Sequence, residues 1–474
     1  MLSGGSAPPL NGASRASPLA SVEGGTTDVI FTEFVQQDEA VTGERREFPR
    51  DFLWGSATAG HQVEGGNANS DCWALEHANP SIFAEPSGDA VDQWNRFDDD
   101  MAILAAIGLR AYRFGIEWAR IEPEEGVFAR SALDHYQRCI DACHQRGITP
   151  VVTFHHFTIP LWLARAGGMT NDRFPALFAR YCETVTRALR GLVVVCSMNE
   201  MNVPLIIGDV ANSLLAGDQG RAKREAAEEA LGGPITGNFL FTPGEALLRN
   251  GLGAHAAGRD AIKSVRPEVQ VGITLSLQDE QAEPGGETAR DARLAKMVDP
   301  FLDLVMGDDF IGVQTYTRTT SRADGTHGPR EGQPRTVMGY EDRPDALAAV
   351  CRYVWQRTAT PIIVTENGFS GDDDARRGAF ISEALDHLQR AISEGVDVRG
   401  YFYWSLLDNY EWMSGYGPKF GIVGVDRATQ RRRIKPSALT YGRIAQAGAI
   451  VPNGAIEVSA PPAPARAGTP LGMD

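Results

Sequence analysis

Cysteine is scarce in this chain, with six in 474 residues: Cys72, Cys139, Cys143, Cys182, Cys196 and Cys351. None forms a Cys-x-x-Cys pair, which argues against a disulfide framework, a dithiol redox centre and a structural zinc site. Cys139 and Cys143 stand four apart in an apolar helical pattern, where small buried hydrophobes are a simpler reading than metal ligands. Positive charge is short as well. The 45 Lys and Arg are outnumbered by 61 Asp and Glu, for a formal net charge of −16 and a pI near 5.1. Neither nucleic acid nor an anionic membrane surface suits such a chain as a general partner. No stretch has the unbroken apolar length of a membrane helix, and residues 1–27, rich in Ser, Gly, Ala and Pro, lack the apolar centre of a secretory signal. Reduced thiols and a cytoplasmic location are the expectation.

What the chain has instead is apolar content, 43% against 22% charged, enough for a large core. Composition marks residues 1–45 as a disordered arm and 448–474 as a disordered Pro/Ala-rich tail, leaving 46–447 as the folded part. Within it, eight stretches carry the β-branched and aromatic pattern of strands: 52–59, 110–116, 149–157, 192–198, 269–277, 310–317, 361–365 and 398–406. Between them run amphipathic segments at helical spacing, among them 96–107, 133–146, 174–189, 244–265 and 344–355. Strand then helix, eight times over, predicts an α/β fold, a single (β/α)8 TIM barrel rather than an open sheet. The connection 204–243 exceeds ordinary loop length and is placed at the mouth of the barrel.

Two of these strands end in glutamate. Pro361-Ile362-Ile363-Val364-Thr365 runs into Glu366-Asn367-Gly368, and Val193-Val194-Val195-Cys196-Ser197-Met198-Asn199 runs into Glu200. A single carboxylate after a buried strand is most simply an ion pair or a solvated end. Two of them, both at the strand ends where barrels build their sites, point to a shared pocket. Paired carboxylates facing each other suit cleavage of a glycosidic bond, one protonating the leaving oxygen while the other supports or attacks the oxocarbenium-like centre. Other groups gather at the remaining ends: Gln62 after the first strand, Arg113 in the second, His156 closing the third, Tyr316 closing the sixth, and Trp404 in the eighth with Glu411 and Trp412 beyond. Taken singly these are packing or ion-pair residues. Together they offer aromatic faces for the apolar faces of a sugar and amide, carboxylate and imidazole groups for its hydroxyls.

Ordered motifs then identify a family. Phe52 to Ala59 with His61-Gln62-Val63-Glu64-Gly65, Tyr112 to Ile121, His156-Phe157-Thr158-Ile159-Pro160, Asn199-Glu200, Thr365-Glu366-Asn367-Gly368, and Trp404 to Trp412 continuing to Phe420-Gly421-Ile422 resemble, in this order, the signatures of the family 1 glycoside hydrolases, the β-glucosidase family. The resemblance spans about residues 48–444. It implies Glu366 as nucleophile and Glu200 as general acid/base. It implies sugar contacts from Gln62, His156, Asn199, Tyr316, Glu411, Trp412 and Phe420 over a floor of Trp404, and support of the nucleophile by Arg113 and Tyr316. Departures from the family pattern are Met201 in place of Pro, Gln314-Thr315-Tyr316 in place of Asn-Tyr-Tyr, His155 in place of Tyr and Phe157 in place of Trp; the last two imply a reshaped sugar subsite. The expectation is a retaining β-glycosidase acting on small unphosphorylated β-D-glucosides, with β-D-fucosides or β-D-galactosides second, and using no metal or organic cofactor. The retained Glu411-Trp412 pair argues against 6-phosphorylated sugars. A transglycosylase on the same scaffold and a non-catalytic sugar-binding protein are the alternatives, the second disfavoured because both glutamates and Arg113 are present. Oligomeric state and aglycone are not legible.

Overall fold

In the computed structural model, which describes residues 45–450, eight parallel strands close into one barrel. They are β1 (Leu53–Ala57), β2 (Ala111–Gly115), β3 (Thr149–Thr153), β4 (Val194–Cys196), β5 (Gln270–Ser276), β6 (Phe310–Gln314), β7 (Ile362–Asn367) and β8 (Val398–Trp404). Each pairs with the strand before it in the chain, and β8 closes on β1 with Tyr403 opposite Ser56 and Trp404 opposite Ala57. Helices cover the outside, so strands such as β2, β6 and β7 are buried on both faces along their whole length. This explains why they read as near-continuous apolar runs.

The predicted helices are present at Gln93–Ile107, Arg130–Gln145, Phe174–Ala188, Leu252–Val265 and Ala346–Thr358. In Arg130–Gln145 the buried set Leu133, Tyr136, Ile140 and Cys143 repeats every three to four residues and so forms one stripe against the barrel. All six cysteines are buried and free, as small hydrophobes would be. Asp374–Ser393, capped by the Asp373 carboxylate accepting from the Arg376 amide, and Pro436–Ala447 complete the wall around β7 and β8.

Inside the barrel, alternate residues point to the axis. Ala111, Val151, Val194, Phe310, Ile363 and Phe402 fill the lower layers with apolar volume. One or two pleats further along the same strands come Arg113, Gln314 and Trp404, so the polar layer lies on top of an apolar one.

Seven of the eight strands stop one to four residues before the expected end, and three of these ends bear on the site. The third, fourth and sixth strands stop at Thr153, Cys196 and Gln314 rather than at 157, 198 and 317. Beyond them Phe157 (φ 69°) and Glu200 (φ 41°) adopt left-handed backbone, which no strand accommodates. His156, Glu200 and Tyr316 therefore stand on the rim rather than in the strands. β7 runs the other way, two residues past 365, and holds Glu366 within its ladder opposite Gln314. The connection 204–243 is not an irregular loop. It carries helices Val203–Leu214 and Gly217–Leu231 and a short turn at Phe239–Phe241, because its apolar residues repeat at helical spacing.

Arg46–Glu47 pairs antiparallel with Ala449–Ile450, carrying the folded segment to residue 450 rather than 447. The remainder of the arm and tail expected at 1–45 and 448–474 lies outside the described residues. No helix among the described residues is long and apolar enough to cross a membrane.

Candidate active site

Arg113 organises the top of the barrel. It projects from β2, fully buried, and its guanidinium joins two other strands: Nη1 donates to Glu366 Oε1 on β7 at 2.6 Å, and Nη2 donates to Asn199 Oδ1 beyond β4 at 2.5 Å. The second oxygen of Glu366 accepts from the Tyr316 hydroxyl at 2.6 Å. Burial pushes the Glu366 carboxyl up, and Arg113 and Tyr316 pull it back toward the ionised form. Gly368, two residues on, has to be glycine, since a Cβ there would collide with the Trp404 carbonyl oxygen of β8.

Glu200 is held differently. Its amide donates to Thr274 Oγ1 at 3.2 Å, and its left-handed backbone turns the side chain out of the β4 direction into the cavity that Glu366 also lines. Among the described residues it has no ion pair. Its pKa is pushed up to about 8, first by burial and then by the charge of Glu366, with Ser276 and Arg113 opposing. Two carboxyls in one cavity thus have unlike environments, one clamped by a cation and a phenol, the other exposed to its neighbour's field.

The Asn199 side chain has its orientation dictated. Oδ1 accepts from Arg113, from Gln314 Nε2 at 2.8 Å and from Thr274 Oγ1 at 3.0 Å, so Nδ2 is turned toward His156 Nε2, 3.1 Å away. His156 is kept neutral by burial and by the Arg113 charge, so Nε2 accepts from Asn199 and the proton sits on Nδ1. Nδ1 is buried without a partner, as is Gln62 Oε1, whose amide nitrogen donates to the Tyr410 carbonyl at 2.6 Å and to Glu411 Oε2 at 3.4 Å. A buried unpaired polar atom costs about 1–3 kcal/mol, a debt that ligand hydroxyls can relieve. Glu411 is raised to about 8 by burial and by the Glu366 charge.

These groups surround a cavity of about 260 Å³. Of the predicted residues, Glu200, Glu366, His156, Tyr316, Trp404, Glu411, Trp412 and Phe420 line it. Arg113, Asn199 and Gln62 stand just behind, each bonded to a lining residue. Trp404 and Trp412 both lie near His156, with ring centroids 5.8 and 6.0 Å from its ring.

The chain matches the model of glycosyl hydrolase family 1 over residues 44–326 and 308–449. The chain belongs to this family. It is 29% identical over 457 residues to β-glucosidase A of Thermotoga maritima, covering 84% of this chain and 98% of that one. It is 32% identical over 448 residues to thermostable β-glucosidase B of Thermobispora bispora, covering 83% and 89%. Its fold superposes on the crystal structure of the β-glycosidase BGL167 with a TM-score of 0.80 at 45% identity, over 90% of this chain and 100% of the other. It is thus a glycoside hydrolase.

Two residues of this family 1 enzyme escape notice in its sequence. Thr274 on β5 holds both Asn199 and the Glu200 amide, and the alternation Gly272-Thr274-Ser276 within an otherwise apolar strand was the available signal. His61 stacks parallel on Trp412, centroids 5.6 Å apart, with Asn67 on its Nδ1 and Glu76 near its Nε2. His155 corrects an expectation. It does not reshape the cavity, for its ring packs edge-on against Phe178 and Phe239, away from the lining, whereas Phe157 does line it and rests on Trp412. Among the described residues no group of three or more His, Cys, Asp or Glu side chains is arranged to hold a metal ion.

Proposed function

We propose that this family 1 enzyme is a retaining β-glycosidase that hydrolyses terminal, unphosphorylated β-D-glucosides, with β-D-fucosides or β-D-galactosides second. The observation that carries the reading is the unlike treatment of two buried carboxyls sharing one cavity, Glu366 clamped by Arg113 and Tyr316, and Glu200 raised to about 8. Glu366 attacks the anomeric carbon. As the bond from that carbon to the leaving oxygen breaks, the oxygen takes the Glu200 proton, and a covalent glycosyl-enzyme forms with the configuration inverted once. Esterified Glu366 no longer carries the charge that raised Glu200, so Glu200 becomes a carboxylate able to take a proton from water as the water attacks the same carbon. The second inversion restores the β-configuration and frees both groups.

Gln62, His156, Asn199, Glu411 and Trp412 hold the sugar hydroxyls, with Trp404 as floor and Phe420 and Tyr316 at the side. The unpaired Gln62 Oε1 and His156 Nδ1 support this role. Glu411 reaches the 4-hydroxyl of either epimer, which admits galactosides after glucosides. The names of the relatives, β-glucosidases in most cases, support glucose as the preferred sugar. Six free thiols support a reducing, cytoplasmic location.

Azide rescue tests the assignment. Glu366→Ala should lose turnover and regain it with azide as the α-glycosyl azide, whereas Glu200→Ala, given an activated aryl glucoside, should release the β-azide. NMR detection of an α-configured first product from the unaltered enzyme and a β-glucoside would overturn it.

A further inference from the structure

Part of the cavity wall that the carboxyls share has a different chemistry. It is built from Val203, Ile206 and Ile207 of helix Val203–Leu214, Leu240 of the following turn, Met338, and Met413 next to Trp412 in the chain. On the helix, Val203, Ile206, Ile207 and Val210 recur at i, i+3, i+4 and i+7 and so form one stripe. Burial falls steadily along it: Val203 is 8% exposed, Ile206 and Ile207 are half-buried, and Val210 is 61% exposed. At about 1.5 Å per residue the stripe runs about 10 Å from the shared cavity to the surface. Val337, next to Met338 in the chain, is 65% exposed.

Polar groups on this stretch are few. Ser276 serves Glu200, and the Gln278 side-chain oxygen already accepts from Thr319, which leaves Ser414, the Tyr340 hydroxyl and one amide nitrogen. A second sugar ring seated here would bury several hydroxyls against Val, Ile, Leu and Met, each unpaired one costing about 1–3 kcal/mol. An anionic group would meet the charge of Glu366 in the cavity and a chain of net charge −16.

We infer that the leaving group is an uncharged, apolar alcohol at least as long as this stripe, an alkyl or fused-ring aglycone, and that the enzyme favours such glucosides over cello-oligosaccharides. This rests on the reading of the two glutamates given above, and it assigns to helix Val203–Leu214 the part that chooses the aglycone.

The test compares kcat/KM for methyl β-D-glucoside, octyl β-D-glucoside, cellobiose and β-D-glucosyl fluoride, each below its aggregation limit. The fluoride has the sugar and no aglycone, and reports catalysis alone. Methyl and octyl glucosides have leaving oxygens of similar basicity and release neutral alcohols, so their ratio reports aglycone binding. Each buried methylene is worth about fourfold, so burying two or three of the extra seven gives a ratio of roughly 15 to 60 in favour of octyl. Cellobiose should fall below octyl glucoside. Ile206→Asn combined with Ile207→Asn should cut the octyl-to-methyl ratio by about tenfold, and Val210→Asp, at an exposed position, by a smaller factor of about three. Turnover of the fluoride with an octyl-to-methyl ratio within twofold, or with cellobiose preferred, would overturn the inference and leave the glutamates in their roles. No turnover of the fluoride would overturn the reading beneath it.

Discussion

Replacing Arg113 by methionine removes the cation from Glu366 with little change of volume, and the consequence can be worked out. The guanidinium and the carboxylate are both buried and 2.6 Å apart at their nearest atoms. Two unit charges about 4 Å apart interact by about 4 kcal/mol at the effective dielectric that suits protein sites. That energy favours ionised Glu366, so its loss raises the Glu366 pKa by about 3 units at about 1.36 kcal/mol each. The nucleophile works only as the carboxylate. The acid limb of kcat/KM should therefore move up by 2 to 3 units, and below the original limb the rate should fall by roughly 10² to 10³. Asn199 also loses a donor, so KM should rise, but Gln314 and Thr274 still hold its Oδ1 and the orientation survives. Arg113→Lys keeps the charge and should return part of the lost rate with the limb near its original place. The assay is a pH series of kcat/KM on an aryl β-glucoside, with circular dichroism to verify folding. A folded Arg113→Met enzyme whose acid limb stays put would refute the argument, whatever its absolute rate, because a merely structural role predicts loss without a shift.

On the alkaline side, Glu200 must carry a proton for the first step, and burial with the Glu366 charge places its pKa at about 8. kcat/KM should thus decline as pH rises through about 8, and Glu200→Gln, assayed on an activated aryl glucoside, should lose that limb; a limb that persists would assign it elsewhere. Glu411, in the same cavity and raised to about 8, should repel a 6-phosphate once the pH is high enough to ionise it, at about 4 kcal/mol for a charge pair about 4 Å apart. 4-Nitrophenyl β-D-glucoside should exceed its 6-phosphate in kcat/KM by at least about 10², Glu411→Gln should narrow the gap, and preference for the phosphate would refute this. For stability, Arg432 is buried with its Nε 2.8 Å and Nη2 3.0 Å from the two oxygens of fully buried Asp100. Arg432→Met should cost about 3–5 kcal/mol by stranding that carboxyl, read as a lower urea midpoint, with Asp100→Asn in the same chain recovering part of it; an unchanged midpoint would show the pair to be neutral.

The strands and most of the flanking helices were legible in the chain because their signals are local. A β-branched run covered on both faces, or an apolar repeat of three to four residues, is written in adjacent positions, and eight alternations leave few closed arrangements other than a barrel. The two glutamates were legible for the same reason: a carboxylate directly after an apolar run stands out. What the sequence by itself could not determine is who meets whom. Arg113 and Glu366 are 253 positions apart, and Arg113 and Asn199 are 86 apart; only closure of the barrel brings β2 opposite β7 and the end of β4. Thr274 was passed over because its partners are Asn199 and Gln314, not its neighbours. His155 and His156 are adjacent yet face opposite ways, one toward the outer helices and one into the cavity, since successive side chains along an extended segment point to opposite sides. Glu200 and Phe157 enter the cavity through left-handed turns that no periodicity announces. The apolar wall along helix Val203–Leu214 is likewise a tertiary decision: its stripe could be read in the sequence, but only the packing of that helix beside the turn at Phe239–Phe241 leaves the stripe bare on the side that lines the cavity.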